Sequence, residues 1–201
     1  SMARLSMYLF GPLQVTLDGE AVTGFESDKV RALLAYLAVE SEAPQRRERL
    51  MDLLWPDRPE KAARINLRHA LANLRSAIGV RRAATPFLLI SRQTMQFNRA
   101  SDAWVDVIVF TELLRHTLAP SADPQTVRRL EEAVAVYRGD LLEGFFVGGC
   151  PEFEEWALFE GERLRRLALG ALRRLAAWYE AQGETERALE YAWRSVEMDP
   201  W

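Results

Sequence analysis

Between residues 61 and 99 the chain holds eight basic side chains and no acidic one. Four of the eight, Lys61, Arg64, Arg68 and Arg75, sit in a stretch where Leu67, Leu71, Leu74 and Ile78 recur at steps of four, three and four. That spacing makes one apolar helical face, and the basic residues fall on another. A helix over residues 59–78 therefore packs one side and presents arginines along roughly three turns of the other. At about 1.5 Å per residue it is about 30 Å long, enough to lie in a DNA major groove. The planar guanidinium forks suit guanine edges or phosphates. His69 and Asn73 flank this face and carry groups that can read bases. On an isolated helix the same arginines would read as a solvated face, arginine being a good helix former. The neighbouring elements decide between the two.

Upstream, apolar residues across 7–18 (Met7, Leu9, Phe10, Leu13, Val15, Leu17), interrupted by Gly11-Pro12 and closed by Asp18-Gly19, predict two short strands and a turn. A third strand is expected near 21–23. Ser27-Asp28 marks a helix start, with Leu33, Leu34, Leu37 and Ala38 at helical spacing. A second helix is expected over 46–54, stopped by Trp55-Pro56 because proline disfavours helix at the preceding residue. The third helix has proline in its first turn and Gly79 beyond its end. Runs at 87–91 and 94–97 around Arg92-Gln93 then predict a hairpin. Strands, three helices and a hairpin, in that order, are the elements of a winged helix with an N-terminal sheet.

The hairpin tip, Arg92 and Gln93, with Arg81 and Arg82 ahead of it and Arg99 behind, would act as a wing on an adjacent minor groove or backbone. The alternative is an ordinary polar turn. Arg46, Arg47 and Arg49 open the second helix, where N–H groups and basic side chains can hold a phosphate; Glu48 offers salt pairing instead. Trp55 is either a lid over the core or a contact to the DNA backbone or to polymerase.

From Trp104 onward the pattern is helical, over about 104–117, 124–138, 152–168, 170–182 and 185–198. In the last stretch Leu172, Leu175, Ala176 and Tyr179 line one helix, Gly183 breaks it, and Ala188, Ala192 and Ser195 line the next. This spacing fits a tetratricopeptide unit, and the repeat domain is expected to be cut short. Charge divides the same way: residues 1–100 hold 15 Lys/Arg and 10 Asp/Glu, residues 101–201 hold 11 and 19, giving +5 and −8. The fold class expected is mainly α with small β elements: a winged helix-turn-helix domain over 1–100, then an all-α tetratricopeptide-like domain over 101–201.

Nothing in the sequence calls for catalysis, a metal or a cofactor. His69 and His116 lie far apart, and Cys150 stands alone in a Gly-Gly-Cys-Pro loop. Gly144, Gly148 and Gly149 match no phosphate-binding fingerprint. Glu152, Glu154 and Glu155 sit at a helix start, where acids favour the helix dipole. No apolar run approaches a membrane span, and a single cysteine fits a cytoplasmic setting.

Several segments carry a resemblance. Leu9-Phe10-Gly11-Pro12-Leu13-Gln14-Val15, Arg31-Ala32-Leu33-Leu34-Ala35-Tyr36-Leu37, Leu50 with Leu53-Leu54-Trp55-Pro56-Asp57, and Leu71 through Leu74-Arg75 to Ile78-Gly79 resemble the antibiotic-regulatory (SARP-type) transcriptional activators of actinobacteria. In the second half, Trp104-Val105-Asp106-Val107 with Phe110, and Tyr137-Arg138-Gly139-Asp140-Leu141-Leu142 followed by Trp156, resemble their bacterial transcriptional activator domain. The resemblance implies an OmpR-like winged helix, sequence-specific binding to double-stranded DNA, two subunits on direct repeats, and recruitment of RNA polymerase. It makes the third helix the recognition helix and the hairpin the wing. Two other readings remain open: a tetratricopeptide-type protein-interaction scaffold, with Trp178 and Tyr179 in a peptide groove, and the regulatory arm of a larger signalling ATPase.

Overall fold

The computed structural model describes residues 4–79, 85–118 and 123–199. Strand β1 (Leu5–Tyr8) pairs antiparallel with β2 (Gln14–Leu17), placing Leu5 opposite Leu17 and Met7 opposite Val15. The period-two alternation turns Leu5 and Met7 into the core. Asp18 and Gly19 both take positive φ, 52° and 85°, in the tight turn to β3 (Glu20–Ala21). The fourth strand, β7 (Ala103–Val105), lies parallel to β1 with Met7 opposite Val105, so the sheet order is β3-β2-β1-β7. Trp104, expected in a helix, is thus a strand residue, and its ring lies 5.1 Å from that of Tyr8.

Helices α1 (Asp28–Val39), α2 (Arg47–Leu54) and α3 (Glu60–Ala77) follow the sequence expectation closely. Ser27 takes the N-cap position of α1, although its hydroxyl caps nothing. Beyond α3 come β5 (Leu88–Ile90) and β6 (Thr94–Phe97), the expected hairpin. A two-residue strand, β4 (Gln45–Arg46), pairs with β6 and makes a second sheet of order β4-β6-β5.

Then follow α4 (Asp106–Arg115), α5 (Pro124–Val136), α6 (Pro151–Ala181) and α7 (Thr185–Met198). Two expected helices, 152–168 and 170–182, are one helix of 31 residues. Gly170 costs an interior helix only about 1 kcal/mol relative to alanine. On either side of it Ala168, Leu169, Ala171 and Leu172 are buried, and that packing carries the helix through. Gly183, at φ 78°, does turn the chain into α7.

One hydrophobic cluster runs through both halves, from Leu5 to Ala188. Its junction is Asp106 at the start of α4. The fully buried carboxylate accepts hydrogen bonds from the backbone N–H of Leu9, Phe10 and Val107 at 2.8–2.9 Å. Phe10 packs edge-on against Phe110 and tilted against Tyr137, with ring centres 5.2 and 4.7 Å away, and the backbone of residues 9–11 bonds to that of 140–143. Trp156 donates its indole N–H to Glu40 at 2.8 Å, with its ring 4.8 Å from that of Tyr36. Among the described residues, no helix is long and apolar enough to cross a membrane.

Candidate nucleic-acid interface

The packed side of α3 is the one its periodicity predicts: Leu67, Leu71, Leu74 and, past its end, Ile78 are buried, together with Ala63 and Ala70. Lys61, Arg64, Ile65, Arg68, His69, Ala72 and Arg75 are exposed. Arg64 pairs with Glu60 at 2.7 Å one turn away. An exposed pair of this kind is worth only about 0.3–0.5 kcal/mol, so a phosphate can displace the carboxylate. Arg68 and Arg75 make no ion pair or hydrogen bond among the described residues, and seven residues put them about 10 Å apart on one side of the helix. Ile65 adds an apolar side chain to this surface.

Asn73 corrects the sequence reading. Its amide is used internally: Nδ2 donates to the Gly24 carbonyl at 2.9 Å and Oδ1 accepts from the Glu26 N–H at 3.0 Å. It ties the segment before α1 to α3 and is not displayed for base contacts.

The second cluster sits at the β5–β6 tip. Arg92 and Gln93 are exposed there. The turn is built on Ser91, whose Oγ accepts from the N–H of Gln93 and Thr94 at 3.2 and 2.9 Å. Strand β4 brings the start of α2 against this tip, with Arg46 in register with Thr94. Arg47 then clamps it: its backbone N–H donates to the Gln93 carbonyl at 2.9 Å, and Nε and Nη2 both donate to the Ser91 carbonyl at 3.2 and 2.8 Å. The structure therefore gathers Arg46, Arg47, Arg92 and Gln93, which the sequence left in two unrelated places. Arg46, Arg92 and Gln93 form the exposed set, and Arg47 positions them.

Other candidates lie elsewhere. Arg49 pairs with Glu152 of α6 at 2.6 Å, which ties α2 to the second half. Arg99 pairs with Glu112 and Glu42 at 2.8 and 3.5 Å and is no part of the hairpin tip. Trp55 is buried, with the Lys29 ammonium 5.6 Å from its ring centre, so it serves as a lid over the core. Arg81 and Arg82 lie outside the described residues.

Cys150 is buried and donates its thiol to the Leu54 carbonyl at 3.2 Å, and burial pushes that thiol up from its usual range. Glu154 accepts from the Val147 N–H at 2.6 Å. Tyr179 is buried, hydrogen-bonded to Glu131 and stacked on Tyr191, while Trp178 packs half-buried against the core. Tyr179 is thus a core residue and does not line a peptide groove. Burial and the adjacent Glu131 push its phenol up to about 12. Among the described residues, no group of three or more His, Cys, Asp or Glu side chains could hold a metal ion.

Comparison with known proteins agrees with the resemblance drawn from the sequence. Residues 105–201 match the family model of the bacterial transcriptional activator domain. Over 76 residues the chain is 37% identical to the transcriptional regulatory protein EmbR of Mycobacterium bovis and of Mycobacterium tuberculosis, a stretch covering 38% of this chain and 19% of EmbR. The solved structure of Mycobacterium tuberculosis EmbR in complex with a low affinity phosphopeptide matches with a TM-score of 0.65 at 22% identity. That match takes in 97% of this chain and 59% of the EmbR chain, so the likeness in fold extends over nearly all of this chain, which spans about three fifths of the solved relative.

Proposed function

Starting from a chain that carries a bacterial transcriptional activator domain and shares its fold with EmbR, we propose that it is a transcription regulator that binds double-stranded DNA through a winged helix in its first hundred residues. Helix α3 enters the major groove, and the β5–β6 tip contacts the neighbouring backbone or minor groove. The observation that carries this reading is the exposed side of α3, where Arg68 and Arg75 stand without a protein partner among the described residues above a fully packed apolar side. Arginines held at this spacing on a rigid helix are preorganised for phosphates or base edges. Arg46, Arg92 and Gln93 supply the second contact, held in place by Arg47.

The helical half, at −8, is repelled by DNA and turned toward protein partners. In an activator, RNA polymerase is the partner it would recruit, and pairs of subunits on direct repeats would bring two such surfaces to one promoter.

The test is selection of genomic DNA fragments on the purified protein, followed by titration of the best site at 50 and 200 mM salt. Wild-type protein should enrich a short repeated motif. Arg68→Ala and Arg75→Ala should each cost about 1–3 kcal/mol on that site where they read bases; where they hold phosphates, each should lower the slope of log K against log salt by about one. Absence of enrichment and of salt-dependent binding by a folded sample would sink the proposal and favour the protein-interaction scaffold.

A further inference from the structure

On the side of the helical half lined by α4, α5 and α6, a cavity of about 440 Å³ opens to solvent. Its lining contains four arginines, Arg115, Arg163, Arg166 and Arg174, and no acidic residue. This is unexpected in a half with 19 acidic against 11 basic side chains. Arg163 pairs only with Glu160 on its own helix, and Arg166 makes no ion pair or hydrogen bond among the described residues. Arg174 donates to the Thr117 carbonyl at 2.8 Å, which holds its guanidinium at the rim.

The floor between these cations is apolar. Leu114 and Leu130 form its buried part, and Leu118 and Leu167 stand out into solvent, Leu118 with 82% of its surface exposed. In the middle of the α6 side is Gly170, where an added Cβ would meet no atom within 4 Å. Glycine in a helix interior costs about 1 kcal/mol relative to alanine, and here no internal packing explains it. It leaves room for another backbone to approach. From Arg163 to Arg174 the groove runs about 16 Å, three turns of helix.

We propose that this groove docks an acidic amphipathic helix of a partner protein. Large apolar side chains cover Leu118 and Leu167, the partner's backbone passes over Gly170, and its carboxylates reach Arg163, Arg166 and Arg174. Charge complementarity and the exposed leucines together select this occupant. DNA would satisfy the arginines but offers nothing continuous to cover the leucines, and a neutral apolar helix would desolvate Arg166, which has no ion pair or hydrogen bond among the described residues, without giving it one.

A display library of random 18-residue peptides, panned on the full chain, tests this. The expected outcome is enrichment of sequences with leucine or phenylalanine at helical spacing flanked by Asp and Glu. The best synthetic peptide, fluorescein-labelled, is then titrated by anisotropy. Arg166→Glu should weaken its binding at least about tenfold. Gly170→Leu should do the same while raising Tm by about 2–4 °C, because leucine is the better helix former; a loss of fold cannot give that combination. DNA affinity, measured alongside, should not change in either variant. Failure to enrich any sequence, enrichment of basic or non-periodic peptides, or binding unaffected by both substitutions would overturn the proposal.

Discussion

Replacing Asp106 by alanine should cost the protein about 3–5 kcal/mol. Its carboxylate is the only side chain reaching the N–H groups of Leu9 and Phe10 among the described residues, and it also takes the N–H of Val107. Alanine leaves three donors buried, at about 1–3 kcal/mol each, with water entry into the gap pulling the sum toward the low end. A domain of ordinary stability, about 5–15 kcal/mol, would survive with little margin. Asp106→Asn keeps one acceptor but sets an NH2 against an N–H, and should fall between alanine and wild type. Urea unfolding followed by tryptophan fluorescence gives both numbers from the shift in midpoint. The carboxyl also has a pH signature. Burial pushes it up to about 6 from 3.8, against the opposing pull of the three N–H groups and of Arg138. A folded-state pKa above the unfolded one means a contribution that is full below about pH 4 and is lost as pH rises through 6. At about 1.4 kcal/mol per unit, wild type should lose at most about 3 kcal/mol over that window relative to Asp106→Asn. A cost below about 1 kcal/mol for Asp106→Ala, or parallel pH curves for wild type and Asp106→Asn, would refute the view that this carboxylate joins the two halves.

Two further substitutions separate positioning from contact. Arg47→Ala should free the hairpin tip: hydrogen exchange at residues 91–94 should quicken and DNA affinity fall several-fold, with stability changed by less than about 1 kcal/mol, and Arg47→Lys should not rescue because two nitrogens share the Ser91 carbonyl. Asn73→Ala should lower stability by about 1–2 kcal/mol through its two lost backbone bonds, while the DNA motif recovered by selection stays the same; an altered motif would return Asn73 to the reading face.

What the sequence made legible was whatever repeats locally. The four-three-four steps of Leu67, Leu71, Leu74 and Ile78 located both sides of α3, and the Arg92-Gln93 turn located the hairpin. Strand β4 was not legible, because two residues carry no period; without it Arg46 and Arg47 read as the start of a helix and not as part of the hairpin tip. Arg47 and Asn73 bond to backbone carbonyls 44 and 49 residues away, partners that no side-chain pattern announces. Trp104 was placed at the start of the helical stretch 104–117, whereas its pairing with β1 spans almost a hundred residues. The sequence pattern divided α6 into 152–168 and 170–182, a division that the buried Ala168, Leu169, Ala171 and Leu172 override.

The bond from Asp106 to Leu9 crosses 97 positions of chain, and that distance becomes time when the protein is made. At about 5–20 residues per second, the ribosome needs roughly 5–20 s after producing Leu9 to produce its partner. Through that interval β1 has one unsatisfied edge, with no parallel strand beside it and two N–H groups lacking their acceptor. Such an edge pairs readily with other chains. The nascent helices α1 to α3 can assemble meanwhile from near neighbours, but the N-terminal sheet closes only when α4 emerges. Overproduction that crowds incomplete chains together should therefore yield aggregates seeded by β1, and co-expression of a holdase that shields it should raise the soluble yield.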